Sequence, residues 1–209
     1  MRRFIVHSCW LLVIVFVALA GCAKKEIKNI DSKGENIICF GDSITFGYGV
    51  EKGEDYPSVL ANMLGTTVIN AGVDGDTTSE ALRRIESAVL EKDPRLVIVE
   101  FGGNDFIKKV PMQESISNMK QIITLIQERG AMVAIADSSA GFFLKSYRQE
   151  FSKIAKEYGT IFIPSILGGI LTNPSFKSDF FHPNTQGYQL IARRIYVAVR
   201  PYINKQRGR

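Results

Sequence analysis

The residues best suited to chemistry in this chain are few. There are two histidines, His7 and His182, and His7 lies in an apolar leader, so His182 supplies the imidazole of the mature domain. It stands in "DFFHP", three residues after Asp179, a spacing that lets a carboxylate reach the ring across one turn. Asp179 would hold the Nδ1 proton and orient the ring, leaving Nε2 to accept a proton from a hydroxyl. The candidate hydroxyl is Ser43, in "CFGDSITFGYG" at residues 39–49, directly after an apolar run of strand length. Alone, a serine there reads as a helix cap or turn former. Beside a histidine paired with a carboxylate it reads as a nucleophile for acyl transfer.

Ser43 and His182 are 139 positions apart, so the fold has to bring them together. The apolar runs "NIICF", "TVIN", "RLVIVEF", "AMVAIADS" and "GTIFIP" have strand length and little polar alternation. Between them lie "YPSVLANML", "TSEALRRIESAVLEK", "ESISNMKQIITLIQER" and "YRQEFSKIAKEYG", whose apolar residues recur three or four apart. "NTQGYQLIARRIYVAVRPYI" reads as a closing helix, capped by Asn184 after Pro183 and losing regularity around Pro201. Strands of this kind alternating with helices predict a parallel sheet of about five strands, covered on both faces. Ligands of such sheets bind beyond the carboxyl ends of the strands. The loops there read "GDSIT", "NAGVDGDTTS", "GGND" and "SDFFHPN", each rich in glycine and short polar residues.

In that order, the blocks "GDSIT", "GDTT", "GGND" and "DFFHPN" resemble those of the GDSL or SGNH hydrolase family, and the resemblance covers essentially the whole folded domain. It implies a flavodoxin-type three-layer α/β/α fold and a serine, histidine and aspartate used for acyl transfer without a metal or cofactor. Ser43 matches the nucleophile, and Asp179 and His182 match the other triad members. The backbone N–H of Ser43, Gly75 of "DGDT" and the carboxamide of Asn104 in "GGND" match the donors of the oxyanion hole. Gly72 is the alternative to Gly75, although "GDT" fits the block better. The residue after the nucleophile is Ile44 where the family name implies leucine, an exchange of one apolar side chain for another. Asp42, Asp76 and Asp105 adjoin these positions and read as caps or turn formers.

Composition limits the remaining classes. With 209 residues, 45% of them hydrophobic, the chain suits one domain with a sizeable core. The formal charge of +5 falls by two, to +3, once Arg2 and Arg3 leave with the leader, too little to indicate nucleic acid. One mature histidine and no "HExxH" run argue against zinc, and neither a Walker A loop nor a G-x-S-x-G elbow is present. The basic run from Arg193 and Arg194 through Arg200 to Lys205, Arg207 and Arg209 reads as a solvated helix face and tail.

The amino terminus predicts export. "MRRF" and the apolar "CWLLVIVFVALAGC" form a leader shorter than the roughly 20 residues of a comfortable span. "LAGC", Leu19 to Cys22, resembles the lipobox of bacterial lipoproteins, which implies an acylated Cys22 as the first mature residue and a domain held at the cell envelope, periplasmic or on the outer face. The alternative is an uncleaved anchor, which also leaves the domain membrane-tethered. With Cys9 in the leader and Cys22 lipidated, Cys39 has no partner for an intrachain disulfide and reads as a buried strand residue. Residues 1–21 are thus read as a signal peptide and 22–35 as lipidated cysteine and polar tether, about 20 Å in reach. Residues 36–209 are the hydrolase domain.

The resulting expectation is a serine esterase or acylhydrolase acting on short-to-medium acyl or aryl esters, thioesters or lysophospholipids. Apolar residues stand near the catalytic blocks: Phe46 and Tyr48, Phe106 and Ile107, Phe142 and Phe143, Phe180 and Phe181. A carbohydrate O-acetylesterase or acetyltransferase of cell-surface polysaccharide is the second reading, disfavoured because the one tryptophan, Trp10, lies in the leader. A non-catalytic binding lipoprotein is the third, and the intact set of candidate residues argues against it.

Overall fold

A computed structural model describes residues 26–139 and 144–204. The leader, Cys22, Phe142, Phe143 and the tail residues Lys205, Arg207 and Arg209 lie outside the described residues. Five strands, β1 (Asn36–Gly41), β2 (Val68–Gly72), β3 (Pro94–Glu100), β4 (Met132–Ala136) and β5 (Ile161–Ile163), form one parallel sheet in the order β2-β1-β3-β4-β5. The helices are α1 (Ser43–Phe46), α2 (Tyr56–Leu64), α3 (Thr78–Ala88), α4 (Gly103–Ile107), α5 (Met112–Glu128), α6 (Lys145–Tyr158) and α7 (Thr185–Asn204). The sheet with helices on both faces is the three-layer arrangement expected from the apolar runs.

Successive strand residues point to opposite faces, so each strand feeds two cores. Ile37, Cys39, Leu96 and Ile98 pack with Tyr56 and Leu60 of α2 and with Tyr188, Ile191 and Ile195 of α7. Ile38, Phe40, Val97 and Val99 pack with Ile85 of α3, with Met119, Ile122 and Ile126 of α5, and with Phe151 of α6. Burial of each such side chain contributes about 1.5–3 kcal/mol, which is why the strands tolerate so few polar residues. The exception is Glu100 at the end of β3, fully buried. The sheet order reverses between β1 and β3, and the loops leaving these two strands part to opposite faces, opening a crevice at their carboxyl ends.

Three local readings need correction. The segment before β1 is not free chain from residue 26 onward. Lys28 N–H donates to the Gly159 carbonyl at 2.8 Å, Asn29 Nδ2 donates to the Gln127 and Ala131 carbonyls at 2.8 and 2.9 Å, and Ile27 and Ile30 pack against the core. Its apolar residues are too few for a periodic pattern, which is why the sequence reads as tether. At the other end, α7 continues through Pro201 to Asn204. Proline deletes only the bond to the carbonyl of Val197, and Val197 is exposed, so water can satisfy that group. Arg194 is not part of a solvated basic face: its guanidinium donates to the carbonyls of Ile166 and Gly168 at 2.6 and 2.8 Å. Cys39 is buried and free, and burial pushes its thiol far above its ordinary range. Among the described residues, no helix is long and apolar enough to cross a membrane.

Candidate active site

Ser43 is the first residue of α1, immediately beyond β1. The Asp42 side chain caps this short helix, Oδ1 accepting from the Ile44 N–H at 3.0 Å. Gly41 permits the tight exit from the strand: a Cβ there would lie 2.7 Å from the Glu100 carbonyl oxygen and 2.8 Å from Glu100 Oε2. Ser43 itself is 7% exposed, with its hydroxyl 3.1 Å from His182 Nε2.

His182 and Asp179 belong to a self-contained turn before α7. One oxygen of Asp179 accepts the N–H groups of Phe181 and His182 at 2.7 and 2.8 Å, as aspartates do in turns. The other lies 2.8 Å from His182 Nδ1. The backbone is pinned by an antiparallel bridge between Lys177 and Pro183 and by Ser178 N–H donating to the His182 carbonyl at 2.9 Å. Burial raises the Asp179 pKa, but the imidazole and the two amides outweigh it and hold the carboxyl below its ordinary value. An ionised Asp179 fixes the Nδ1–H tautomer and leaves the Nε2 lone pair facing Ser43.

Asn104 lies in α4, which follows β3 across the crevice from Ser43. Its Nδ2 donates to Asp42 Oδ2 and to the Asp76 carbonyl, both at 3.1 Å. Gly75 sits in the loop after β2 at φ +78°, a left-handed conformation that favours glycine. Its carbonyl accepts from Lys108 Nζ at 2.7 Å. Among the described residues, no protein acceptor takes the N–H of Ser43 or of Gly75. Asp76 is held by Arg84 Nε at 2.6 Å, and the same guanidinium donates to the Gly41 and Ala71 carbonyls, so one side chain ties together the loops after β1 and β2.

Ser43, Asn104 and His182 line a cleft of about 580 Å³, together with Phe106, Ile107, Leu167, Leu171, Phe180 and Phe181. Gly75 does not line it; its neighbour Asp74 does. Phe46 and Tyr48 are outside the lining, and the Tyr48 ring lies on the His182 imidazole instead, centroids 4.3 Å apart. Among the described residues, no group of three histidine, cysteine or acidic side chains is placed to hold a metal ion.

Residue-by-residue reading undervalued the carboxyls beside the site. Asp105 accepts from the Thr78 N–H at 3.0 Å and Asp76 pairs with Arg84, both structural. Asp42 does more than cap, because it also holds Asn104. Glu100 received no role at all, although a glutamate inside "RLVIVEF" is itself a signal: an otherwise apolar strand carries a carboxyl it must bury.

A sequence profile of the GDSL-like lipase/acylhydrolase family matches residues 39–190, which include Ser43, Asn104, Asp179 and His182. The chain belongs to this family. Among curated relatives of the hydrolase, the thioesterase 1/protease 1/lysophospholipase L1 of Escherichia coli K12 is 24% identical over 178 residues, 81% of this chain and 86% of the relative. The uncharacterized lipoprotein YqeF of Bacillus subtilis is 33% identical over 113 residues, 50% of this chain and 41% of the relative. Among solved structures, AlinE4, an SGNH-hydrolase family esterase, superposes with a TM-score of 0.63 at 32% identity, covering 84% of this chain and 98% of that one. The chain is thus a serine hydrolase of ester bonds.

Proposed function

We propose that this hydrolase is an exported, lipid-anchored esterase that cleaves short-to-medium acyl or aryl esters, thioesters and lysophospholipids through an acyl-enzyme. The observation that carries this reading is the hydrogen-bonded run Asp179, His182, Ser43 opening into an apolar cleft. His182 Nε2 takes the Ser43 proton as Oγ attacks the carbonyl carbon, and Asp179 stabilises the imidazolium that forms. The oxyanion is held by the N–H of Ser43, the N–H of Gly75 and one N–H of Asn104. Collapse returns the proton to the leaving alcohol or thiol. A water, deprotonated by the same imidazole, then releases the acid and regenerates Ser43.

The apolar lining supports that substrate class, since each buried methylene of an acyl chain contributes about 0.8 kcal/mol. Acylated Cys22 provides the anchor, supported by the lipobox-like "LAGC". Labelling with a fluorophosphonate probe tests the enzymatic core of this reading: covalent modification of Ser43 is the expected result, and an unlabelled but folded protein overturns it.

A further inference from the structure

Two of the three proposed oxyanion donors have firm supports. Ser43 opens α1, which Asp42 caps, and the Asn104 carboxamide is held by Asp42 Oδ2 and by the Asp76 carbonyl. Gly75 has no such setting. It lies in the turn between β2 and α3 at φ +78°, and a Cβ built on it would meet nothing within 4 Å, so packing on that side does not fix the turn. The backbone closes it with one long bond, from the Asp76 N–H to the Val73 carbonyl at 3.3 Å.

Lys108 supplies the missing restraint. Its Nζ donates to the Gly75 carbonyl at 2.7 Å and lies 3.4 Å from Glu80 Oε2. That carboxylate is itself fixed at the start of α3, because the N–H and the hydroxyl of Thr77 both donate to the same oxygen, at 2.7 and 2.9 Å. The Lys108 backbone is fixed as well. It ends α4, its N–H donating to the Asn104 carbonyl at 2.8 Å, and the Val110 N–H returns to the Asp105 carbonyl at 2.8 Å. Between them Lys109 takes φ +59°, a left-handed conformation uncommon for a residue other than glycine. This bend turns the chain off α4 directly after Lys108.

We propose that Lys108 is a positioning residue, which pins the Gly75 carbonyl and so presets the N–H of the same residue for the oxyanion. The inference rests on the acyl-transfer reading above. Lys108 does not line the cleft, so it reaches the reaction only through the turn. Among the described residues no protein acceptor takes the Gly75 N–H, which leaves that donor for the oxyanion. One ammonium thereby joins the turn that carries Gly75 to the helix that carries Asn104, two donors that must meet the same oxygen. Preset donors need not reorganise as the charge forms, and misplacement on the order of 1 Å can cost about 10²-fold in rate. The side chains of Lys108 and Glu80 are 49% and 36% exposed, and an ion pair so open to solvent contributes little to stability. Its loss should therefore appear in the chemistry rather than in folding.

The test compares the full-length wild type with Lys108→Met and Lys108→Arg, through kcat and KM for p-nitrophenyl butyrate, the rate of fluorophosphonate labelling of Ser43, and urea unfolding. Methionine keeps much of the length and loses the donor, so kcat should fall roughly 5- to 50-fold with KM within about twofold of wild type. The labelling rate should fall in step, because the phosphonyl oxygen enters the same hole. Arginine keeps a cationic N–H donor and should bring kcat back to within about threefold of wild type. The urea midpoint should be unchanged in both variants. A methionine variant with full kcat, a loss carried by KM, a loss that follows a lowered urea midpoint, or an arginine variant as weak as the methionine one would overturn the role of Lys108. Wild-type labelling separates the two levels: a labelled Ser43 with a fully active methionine variant sinks only the role of Lys108, whereas an unlabelled Ser43 sinks the acyl-transfer reading beneath it.

Discussion

The ring of Tyr48 lies over the imidazole of His182, centroids 4.3 Å apart and planes 35° from parallel. The segment carrying it is fixed, because the Tyr48 carbonyl accepts from the Tyr188 hydroxyl at 3.0 Å. His182 is thereby restrained twice, in its plane by Asp179 and on its face by Tyr48. An offset ring pair of this kind is worth about 0.5–1.5 kcal/mol, so Tyr48→Ala should lower kcat roughly 2- to 12-fold as the imidazole gains freedom. Tyr48→Phe keeps the ring and should retain nearly full turnover. Equal losses in both variants would show that the hydroxyl, not the stacking, matters.

Replacement of the nucleophile is the sharpest test of the chemistry. Ser43→Ala should abolish ester hydrolysis and fluorophosphonate labelling together, since no acyl-enzyme can form; losses in such triads reach about 10⁶-fold. Asn104→Ala should lower kcat by roughly 10²- to 10³-fold with the fold intact, as circular dichroism would verify. Unimpaired turnover in the Asn104 variant would remove it from the oxyanion hole.

The parallel sheet was legible because its strands are unbroken apolar runs, and Ser43, Asp179 and His182 were legible because the first opens the short helix directly after a strand and the other two share the turn before the last helix. Residues whose meaning depends on three-dimensional neighbours were not. Asp42 looks like any cap until Asn104 arrives from a strand exit 62 positions away. Residues 26–35 look like tether because their anchoring is by backbone bonds and Asn29, which leave no periodic trace. Arg194 looks solvated because its acceptors are carbonyls, which every sequence has.

The burial of the Asp42 and Glu100 carboxyls has a thermodynamic signature. In the unfolded chain both carboxyls ionise near their ordinary values of about 3.9 and 4.3, whereas both are raised in the folded state. Above those ordinary values the folded state binds the extra proton, so this pair's contribution to stability falls as pH rises toward the raised values. Glu100→Gln removes a carboxyl whose pKa burial raises in the folded state, and its unfolding free energy should decline less between about pH 5 and about pH 8 than that of wild type. Urea unfolding at the two pH values measures the difference. Parallel declines in the two proteins would mean that the pair holds no extra proton.

Substrate preference follows from Phe106, Ile107, Phe180 and Phe181 in the cleft wall, of which Phe180 is 75% exposed. Such a wall suits acyl and aryl groups, so kcat/KM for p-nitrophenyl esters should climb from acetate toward medium chains. Each added methylene that is buried is worth up to about fourfold, the equivalent of 0.8 kcal/mol. An acetylated xylo- or muro-oligosaccharide should be a poor substrate by comparison. Deacetylation of the oligosaccharide far faster than any of these esters would put a carbohydrate esterase in place of the proposed activity.

Residues 28 to 36 and the catalytic site lie at opposite ends of the sheet, which constrains where the substrate of a protein anchored at Cys22 would come from. Residues 28 to 36 bond to Gly159, Gln127, Ala131 and Asp93, all of which precede β-strands, whereas Ser43 and Asn104 follow them. The four residues from Cys22 to Glu26 reach at most about 14 Å, while a seven-residue strand such as β3 alone spans about 23 Å. A lipidated Cys22 would therefore hold the catalytic face away from its own membrane, toward soluble, micellar or facing-surface esters. The lipidated protein in vesicles should cleave a soluble p-nitrophenyl ester and micellar lysophospholipid readily, yet cut a fluorogenic ester lipid much more slowly when it shares the bilayer than when it is offered in detergent micelles. Equal rates on the lipid in both settings would mean that the short connection lets the domain turn its cleft to the bilayer, and the membrane itself would become the substrate source.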